Sequence, residues 1–153
     1  MEKRSELPTE QDFDPYGGDL DAQCAWKKFG GLTLDEAHVK FREHPECYRE
    51  ELMAMGGKAF SYYFPVIDSY IRETELLPEG VRDDRETWII PHGLIYQFSG
   101  WNEPYVRHLR KDVLRLCVFV RSNLVLFADS QDEEKEIDEQ WEALEVHLGK
   151  KDS

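Results

Sequence analysis

The stretch from Pro104 to Ala128 constrains the fold more than any other part of the chain. It runs without a glycine or an internal proline. Leu109, Val113, Leu116, Val120, Leu124 and Phe127 recur at three- and four-residue steps, the spacing of a helical seam. Cys117 lies beside that seam, and Leu114, Val118, Phe119, Val125 and Leu126 widen the apolar surface beyond one stripe. Asn102 is placed to cap the start, and Pro104 to occupy the first helical position, where no donor is lost. The pattern predicts one central helix over 104–128, touched by neighbours on several sides.

A core of that size fits a chain of 153 residues, which is enough for one domain without disulfide staples. Four tryptophans, 7 tyrosines and 8 phenylalanines exclude wholesale disorder. Cys24, Cys47 and Cys117 are an odd, widely spaced set and make no disulfide framework. The opening residues lack the apolar run of a secretory signal. Arg107, Arg110, Lys111, Arg115 and Arg121 break the longest apolar stretch, so no membrane span is expected. A reducing cytoplasm is the expected setting.

The rest of the chain reads as helices around that centre. Residues 1–20 are polar, with Pro8, Pro15, Gly17 and Gly18, and read as a loosely ordered arm pinned by Phe13 and Tyr16. A single helical domain follows over 21–149, with a tail at 150–153. Thr33 and Glu36 form a capping box for a helix whose inner face is Leu34, Ala37 and Phe41. Pro45 starts the next helix, with Tyr48, Leu52 and Met55 inward, and Gly56-Gly57 closes it. Phe60, Tyr63, Phe64, Ile67 and Ile71 share the face of a third helix. Pro65 either kinks that helix, splits it at Phe64, or marks a late start there. Asp83, Asp84 and Arg85 read as a solvated loop. Over 88–98 a helix with Leu94 and Phe98 inward competes with a short hairpin turning at Pro91 and Gly93; a hairpin would lack a third strand. The fold class is all-α, a compact bundle of about five or six helices.

The formal net charge is -13, and 129–153 carries over half of it, with 10 acidic residues against 3 basic. Ile137, Trp141, Leu144 and Leu148 still fall at helical steps there, behind a Ser130–Glu133 cap. The result is an amphipathic helix whose outer face carries Glu134, Asp138, Glu142 and Glu145. Such a charge disfavours nucleic acid and anionic membranes and suits a basic partner. Arg107, Lys111 and Arg115 line one helical face, and are expected to pair with the acidic last helix or the first helices.

Catalytic patterns are scarce. Gly30-Gly31 and Gly56-Gly57 lack the flanks of a phosphate loop, and there is no G-x-S-x-G or H-E-x-x-H. His44 and Cys47 have ligand spacing but need Cys24 and His38 to make a metal set. His92, between Pro91 and Gly93, is the one histidine placed for a loop-borne base. Trp101 either packs over the start of the central helix or stands out as a partner anchor.

The block from Trp26 to Tyr70 resembles small bacterial proteins of uncharacterised function associated with immunity loci of toxin systems. The positions are Phe29-Gly30-Gly31-Leu32, Asp35-Glu36-Ala37, Phe41, Pro45, Tyr48, Glu51-Leu52-Met53, Met55-Gly56, Lys58-Ala59-Phe60 and Tyr62-Tyr63-Phe64-Pro65. The resemblance implies an inhibitor that binds a cognate toxin, and it supplies no catalytic residues. The expectation is therefore a non-enzymatic binding protein without cofactor or metal. It engages a basic partner, such as a cognate toxin, through Glu134, Asp138, Glu142, Glu145 and Trp101. The alternatives are a small hydrolase-like enzyme using His92 and a carboxylate, and a self-associating helical domain that forms a homodimer.

Overall fold

A computed structural model describes residues 7–150 of the chain, and among them the regular structure is entirely helical. In chain order the helices are α1 (Glu10–Phe13), α2 (Leu20–Phe29), α3 (Leu34–Glu43), α4 (Pro45–Ala54), α5 (Gly57–Arg72), α6 (Ile90–Gln97), α7 (Glu103–Val106), α8 (Arg110–Ser122) and α9 (Gln131–Lys150). Residues 1–6 and 151–153, the outer part of the expected arm and nearly all of the expected tail, lie outside the described residues.

The starts follow local chemistry. Thr33 Oγ1 accepts from Glu36 N at 3.2 Å, and Glu36 Oε1 accepts from Thr33 N at 2.9 Å, the reciprocal box read from the sequence. Thr9 and Asp12 make the same box on α1, and Asp19 Oδ1 accepts two amides at the start of α2. Ser130 Oγ caps Glu133 N, while the Glu133 carboxylate reaches back to Asp129 N. Gly149 does not end α9, which runs on to Lys150.

The hub is α5, not the expected helix over 104–128. Ala59, Phe60, Tyr63, Phe64, Val66, Ile67, Tyr70 and Ile71 are all buried, so one broad face of close to half its circumference is covered. Helices α1, α3, α4 and α7 pack around it. Pro65 neither splits it nor delays its start. The ring faces solvent, and the helix forgoes the hydrogen bond that Pro65 has no N–H to make. Tyr63 Oη donates towards both Phe29 O (3.0 Å) and Leu32 O (2.7 Å), tying the end of α2 to the hub.

The stretch 104–128 is broken into α7, a 3-10 turn at Arg107–Leu109, α8 and a second 3-10 turn at Leu124–Leu126. Asn123 explains the second break. Its Nδ2 donates to Phe119 O at 2.7 Å and takes the carbonyl its own amide would use to continue the helix. That amide turns to Val120 O, three residues back. The seam residues Leu109, Val113, Leu116, Val120 and Phe127 are buried as expected, with Cys117, but Leu124 is only half-buried. Val118 and Val125 are exposed, so the stretch is covered on fewer sides than its composition suggests. Asn102 does not cap it either: its Oδ1 accepts from Gly57 N at 2.8 Å, at the start of α5.

Residues 90–97 are a helix, so the hairpin is excluded. Gly93 lets α6 lie against Met53, whose Cγ would sit 2.4 Å from a Cβ there. The fully buried Gln97 donates from Nε2 to Met53 O (3.0 Å) and Met55 O (2.8 Å), satisfying the end of α4. The arm read over 1–20 is not separate from the domain where the structure describes it. Phe13 is fully buried, edge-on to Trp26 with ring centroids 5.3 Å apart. Tyr16 stays outside the core.

The 82–87 loop is not a freely solvated turn. Asp83 and Asp84 accept from the amides of Arg85 and Glu86, both at 2.9 Å, and hold those residues in the left-handed region at φ 49° and 62°. Arg85 stacks over Tyr70 at 4.3 Å, and the buried Glu86 accepts from Arg49 Nη1 at 2.7 Å. Trp141 of α9, fully buried, donates to Thr87 O at 2.8 Å and locks the last helix to this loop.

Gly56 is a tight joint against the backbone of α1. Its amide donates to Phe13 O at 2.8 Å, and a Cβ there would meet Asp12 O at 2.5 Å and Pro15 Cδ at 2.9 Å. Gly56→Ala should therefore push α1 off α5 and cost about 1–3 kcal/mol by overpacking. Gly80→Ala, with nothing within 4 Å, should stay near neutral; urea unfolding of both variants checks this. Burial pushes the Glu86 carboxyl above its ordinary value of 4.5, against the pull of Arg49. The folded state then holds that proton more tightly than the unfolded chain. Glu86 thus adds stability as pH falls through its raised folded pKa towards 4.5. Glu86→Gln should remove this gain, so that variant and parent unfolding free energies diverge across that interval in favour of the parent as pH falls.

Candidate partner-binding surfaces

Two surfaces carry the residues singled out by sequence, and the structure treats them differently. On α9, the residues Asp138, Glu142 and Glu145 follow one another at steps of four and three, so they share a face. That face is turned towards Arg121, near the end of α8. Arg121 Nε donates to Asp138 Oδ1 at 2.7 Å, Nη1 to Glu145 Oε2 at 2.8 Å and Nη2 to Glu142 Oε2 at 3.4 Å. One planar guanidinium thus uses all three nitrogens on three carboxylates. The bond to Asp138, foremost, holds Arg121 more firmly protonated than usual, against the cost of its partial burial. Three of the four expected contact residues on α9 therefore already have an internal cation. Glu134 makes no ion pair among the described residues.

The basic ridge does not pair as the sequence suggested. Arg107 bonds Glu103 within its own turn (2.7 Å), and Arg115 bonds Asp112 (2.7 Å). Lys111 stands exposed, and Arg110 donates to Leu148 O at 3.2 Å. Local partners win because they need no long side chain to be ordered across a gap. Arg121, which meets α9 carboxylates, shares the α8 face that carries the buried Cys117 and Val120. Its place beside an apolar seam was the one available signal.

The second surface surrounds Trp101. This side chain does not pack over the helix end: it is 78% exposed. Its ring lies 5.7 Å from that of Tyr16, itself 69% exposed. Both positions are set by the α5 start. Gly56 N holds Phe13 O, three residues before Tyr16, and Gly57 N holds the Asn102 side chain, next to Trp101. The pair forms the rim of a cleft of about 290 Å³ with a largely apolar floor of Phe13, Ala22, Ala54 and Gly56. Through Asp19, Ala54 and Tyr96 that cleft continues into a larger one of about 620 Å³ between α2, α4 and α6.

The larger lobe is acidic: Asp19, Asp21, Glu50 and Glu51 line it, with Cys24, Met53, Gly93 and Tyr96. No lysine, arginine or histidine lines either lobe. Asp19 is engaged in capping α2. Asp21, Glu50 and Glu51 have no ion pair among the described residues, and Glu51 Oε2 is shut off from water without a hydrogen-bond partner. The electrostatics favour a cation.

His92 is exposed and lines neither cleft lobe, and its backbone amide bonds Ile89 O at 3.0 Å. Of the tentative ligand set, His38 bonds Glu73 at 2.7 Å and His44 lies 3.7 Å from Glu46, while Cys24 and Cys47 are exposed thiols. Among the described residues no group of three or more such side chains could hold a metal ion. Burial pushes the Cys117 thiol up to about 12, which leaves it a core side chain at neutral pH. No helix of the described residues is long and apolar enough to cross a membrane.

Arg121→Ala would leave three carboxylates facing one another. The variant should lose about 1–2 kcal/mol of stability. That loss should shrink in about 0.5 M salt, where repulsion among the partly exposed carboxylates is screened; chemical unfolding at low and high salt measures both.

Comparison with protein-family models, with curated proteins and with solved structures finds no match to this chain.

Proposed function

We propose that this chain is a non-enzymatic binding protein that takes a basic segment of a partner protein into the cleft between α2, α4 and α6. The observation that carries the reading is the exposed Tyr16–Trp101 pair at the mouth of an acidic cleft. Large aromatic side chains that stand out of a rigid frame are the usual anchors of protein interfaces. The carboxylates supply steering and sign selection for a basic partner. This moves the expected contact face from α9, whose Asp138, Glu142 and Glu145 hold Arg121, to the opposite use of the same overall acidity. Trp101 remains a contact residue, and of the four expected α9 carboxylates only Glu134 lacks an internal cation among the described residues.

Among the roles open to such a protein, an immunity-type inhibitor of a cognate basic toxin is the one we favour. Its supports are the resemblance over residues 26–70 and the strongly acidic chain. Three free thiols accord with a reducing, cytoplasmic setting. An enzyme built on His92 draws no support from its exposed position away from the clefts. A homodimer would have to use exposed apolar side chains such as Val118 and Val125, and nothing about them selects a second copy.

A photo-crosslinking amino acid placed at position 101, and separately at 118, in the native host tests the reading. Position 101 should capture one basic protein that 118 does not. Trp101→Ala should weaken its purified complex by about thirtyfold, a hot-spot loss of about 2 kcal/mol. Equal capture at both positions, or an affinity unchanged by the substitution, overturns the binding face. Expressing the captured protein without this chain should arrest growth; a harmless partner overturns the inhibitor role and leaves the binding role standing.

A further inference from the structure

The two lobes of the cleft differ in what they offer a ligand. The mouth presents the exposed faces of Tyr16 and Trp101, with centroids 5.7 Å apart and planes inclined at 59°. The inner lobe presents the side chains of Asp21, Glu50 and Glu51, none of them ion-paired among the described residues. A ligand that satisfies both must carry positive charge, present N–H donors, and have a flat face that stacks on rings. An anion is repelled by the lining. A metal ion is poorly served, because the carboxylates do not converge on one point among the described residues. A lysine ammonium supplies charge and donors but no plane. A guanidinium supplies all three: it stacks on aromatic faces and matches a carboxylate with two parallel N–H donors.

We infer that the cleft is an arginine receptor. One guanidinium of an extended partner segment stacks on the Tyr16–Trp101 pair, and a second enters the inner lobe to donate to Glu51. The lobes adjoin at Asp19, Ala54 and Tyr96, and each lobe takes one of two side chains borne on a single strand-like backbone. Side chains two residues apart on an extended chain point the same way, which sets the motif as arginine, any residue, arginine. The inner lobe, at about 620 Å³, has the size of pockets that enclose whole small ligands, and so has room for a full guanidinium and its stem. Glu50 and Asp21, also in this lobe, contribute long-range attraction and not geometry. This inference rests on the cleft being the partner-binding face.

The test uses the full chain, labelled for NMR, and capped tripeptides Arg-Gly-Arg, Lys-Gly-Lys and Glu-Gly-Glu as probes. The arginine peptide should bind about fivefold or more tightly than the lysine peptide, and the glutamate peptide should not bind. Shifts should fall on the Trp101 indole N–H and on the amides of Gly93 and Tyr96. Glu51→Gln and Tyr16→Ala should each weaken the arginine peptide about tenfold. Tyr16 is an exposed side chain, so its loss tests stacking without disturbing the core. Glu79→Gln, at an exposed residue that lines neither lobe, should change nothing. Equal affinity for the two basic peptides, shifts confined to α9, or indifference to both Glu51→Gln and Tyr16→Ala overturns the inference. If a partner crosslinks at 101 but the peptides show no arginine preference, the binding role survives and the arginine reading falls. If the peptides behave as expected but nothing crosslinks at 101, the reverse holds.

Discussion

Two adjacent backbone amides hold this molecule's candidate site in place. Gly56 N donates to Phe13 O, and Gly57 N to the Asn102 side chain. Both are at the start of α5, where the first amides of a helix lack intrahelical acceptors. An acceptor supplied from elsewhere in the chain is therefore drawn there by an unmet need. Here two acceptors come, from segments some ninety positions apart in sequence. A side chain at either position would crowd its own partner: a Cβ at 56 would fall 2.5 Å from Asp12 O, and one at 57 would fall 2.8 Å from Asn102 O. Tyr16 and Trp101 meet because the backbones that carry them are fastened to neighbouring atoms of the same helix end.

The acidity of the chain is divided between two environments. On α9 one face is internal, with three carboxylates gathered on Arg121 and an apolar stripe of Ile137, Trp141, Leu144 and Leu148 behind them. Around α2 and α4 it is outward, with Asp21, Glu50 and Glu51 lacking internal cations among the described residues. A net charge of -13 does not by itself locate a contact surface. The distinction rests on which carboxylates already hold a counter-charge, because only the others gain one on binding.

Elements whose determinants are local were legible in the sequence. The Thr33–Glu36 box, the inner face Ala37–Phe41 and the stripe on α9 needed nothing beyond a few neighbouring residues. The hub was misplaced because Pro65 counts against a helix in local terms, while the fold carries the helix through it with the ring turned to solvent. The reach of the 104–128 stretch was overstated because composition does not reveal that Asn123 competes with its own backbone for Phe119 O. Of the candidate site, Trp101 was visible as an aromatic in a polar turn. Tyr16, Tyr96, Glu50 and Glu51 were not, because the cleft joins segments near residues 16, 50, 96 and 101, and no periodicity links them. Arg121 was passed over in favour of the more conspicuous Arg107–Lys111–Arg115 series, whose members found nearer partners or stayed in solvent.

The Gly56–Gly57 joint separates what must stay from what is free to change. The atoms that set the cleft's shape are main-chain amides, a carbonyl and one asparagine, whereas the groups that face a ligand end in solvent. Exchange of Tyr16, Asp21, Glu50, Tyr96 or Trp101 for another residue alters the chemistry of the mouth without touching the core, and surface changes of this kind carry little stability cost. A lineage built on this frame can therefore turn over its recognition residues as fast as a partner changes, while drift at 56, 57 or 102 is held back by folding. The fold has the makings of a fixed chassis with an interchangeable reading head.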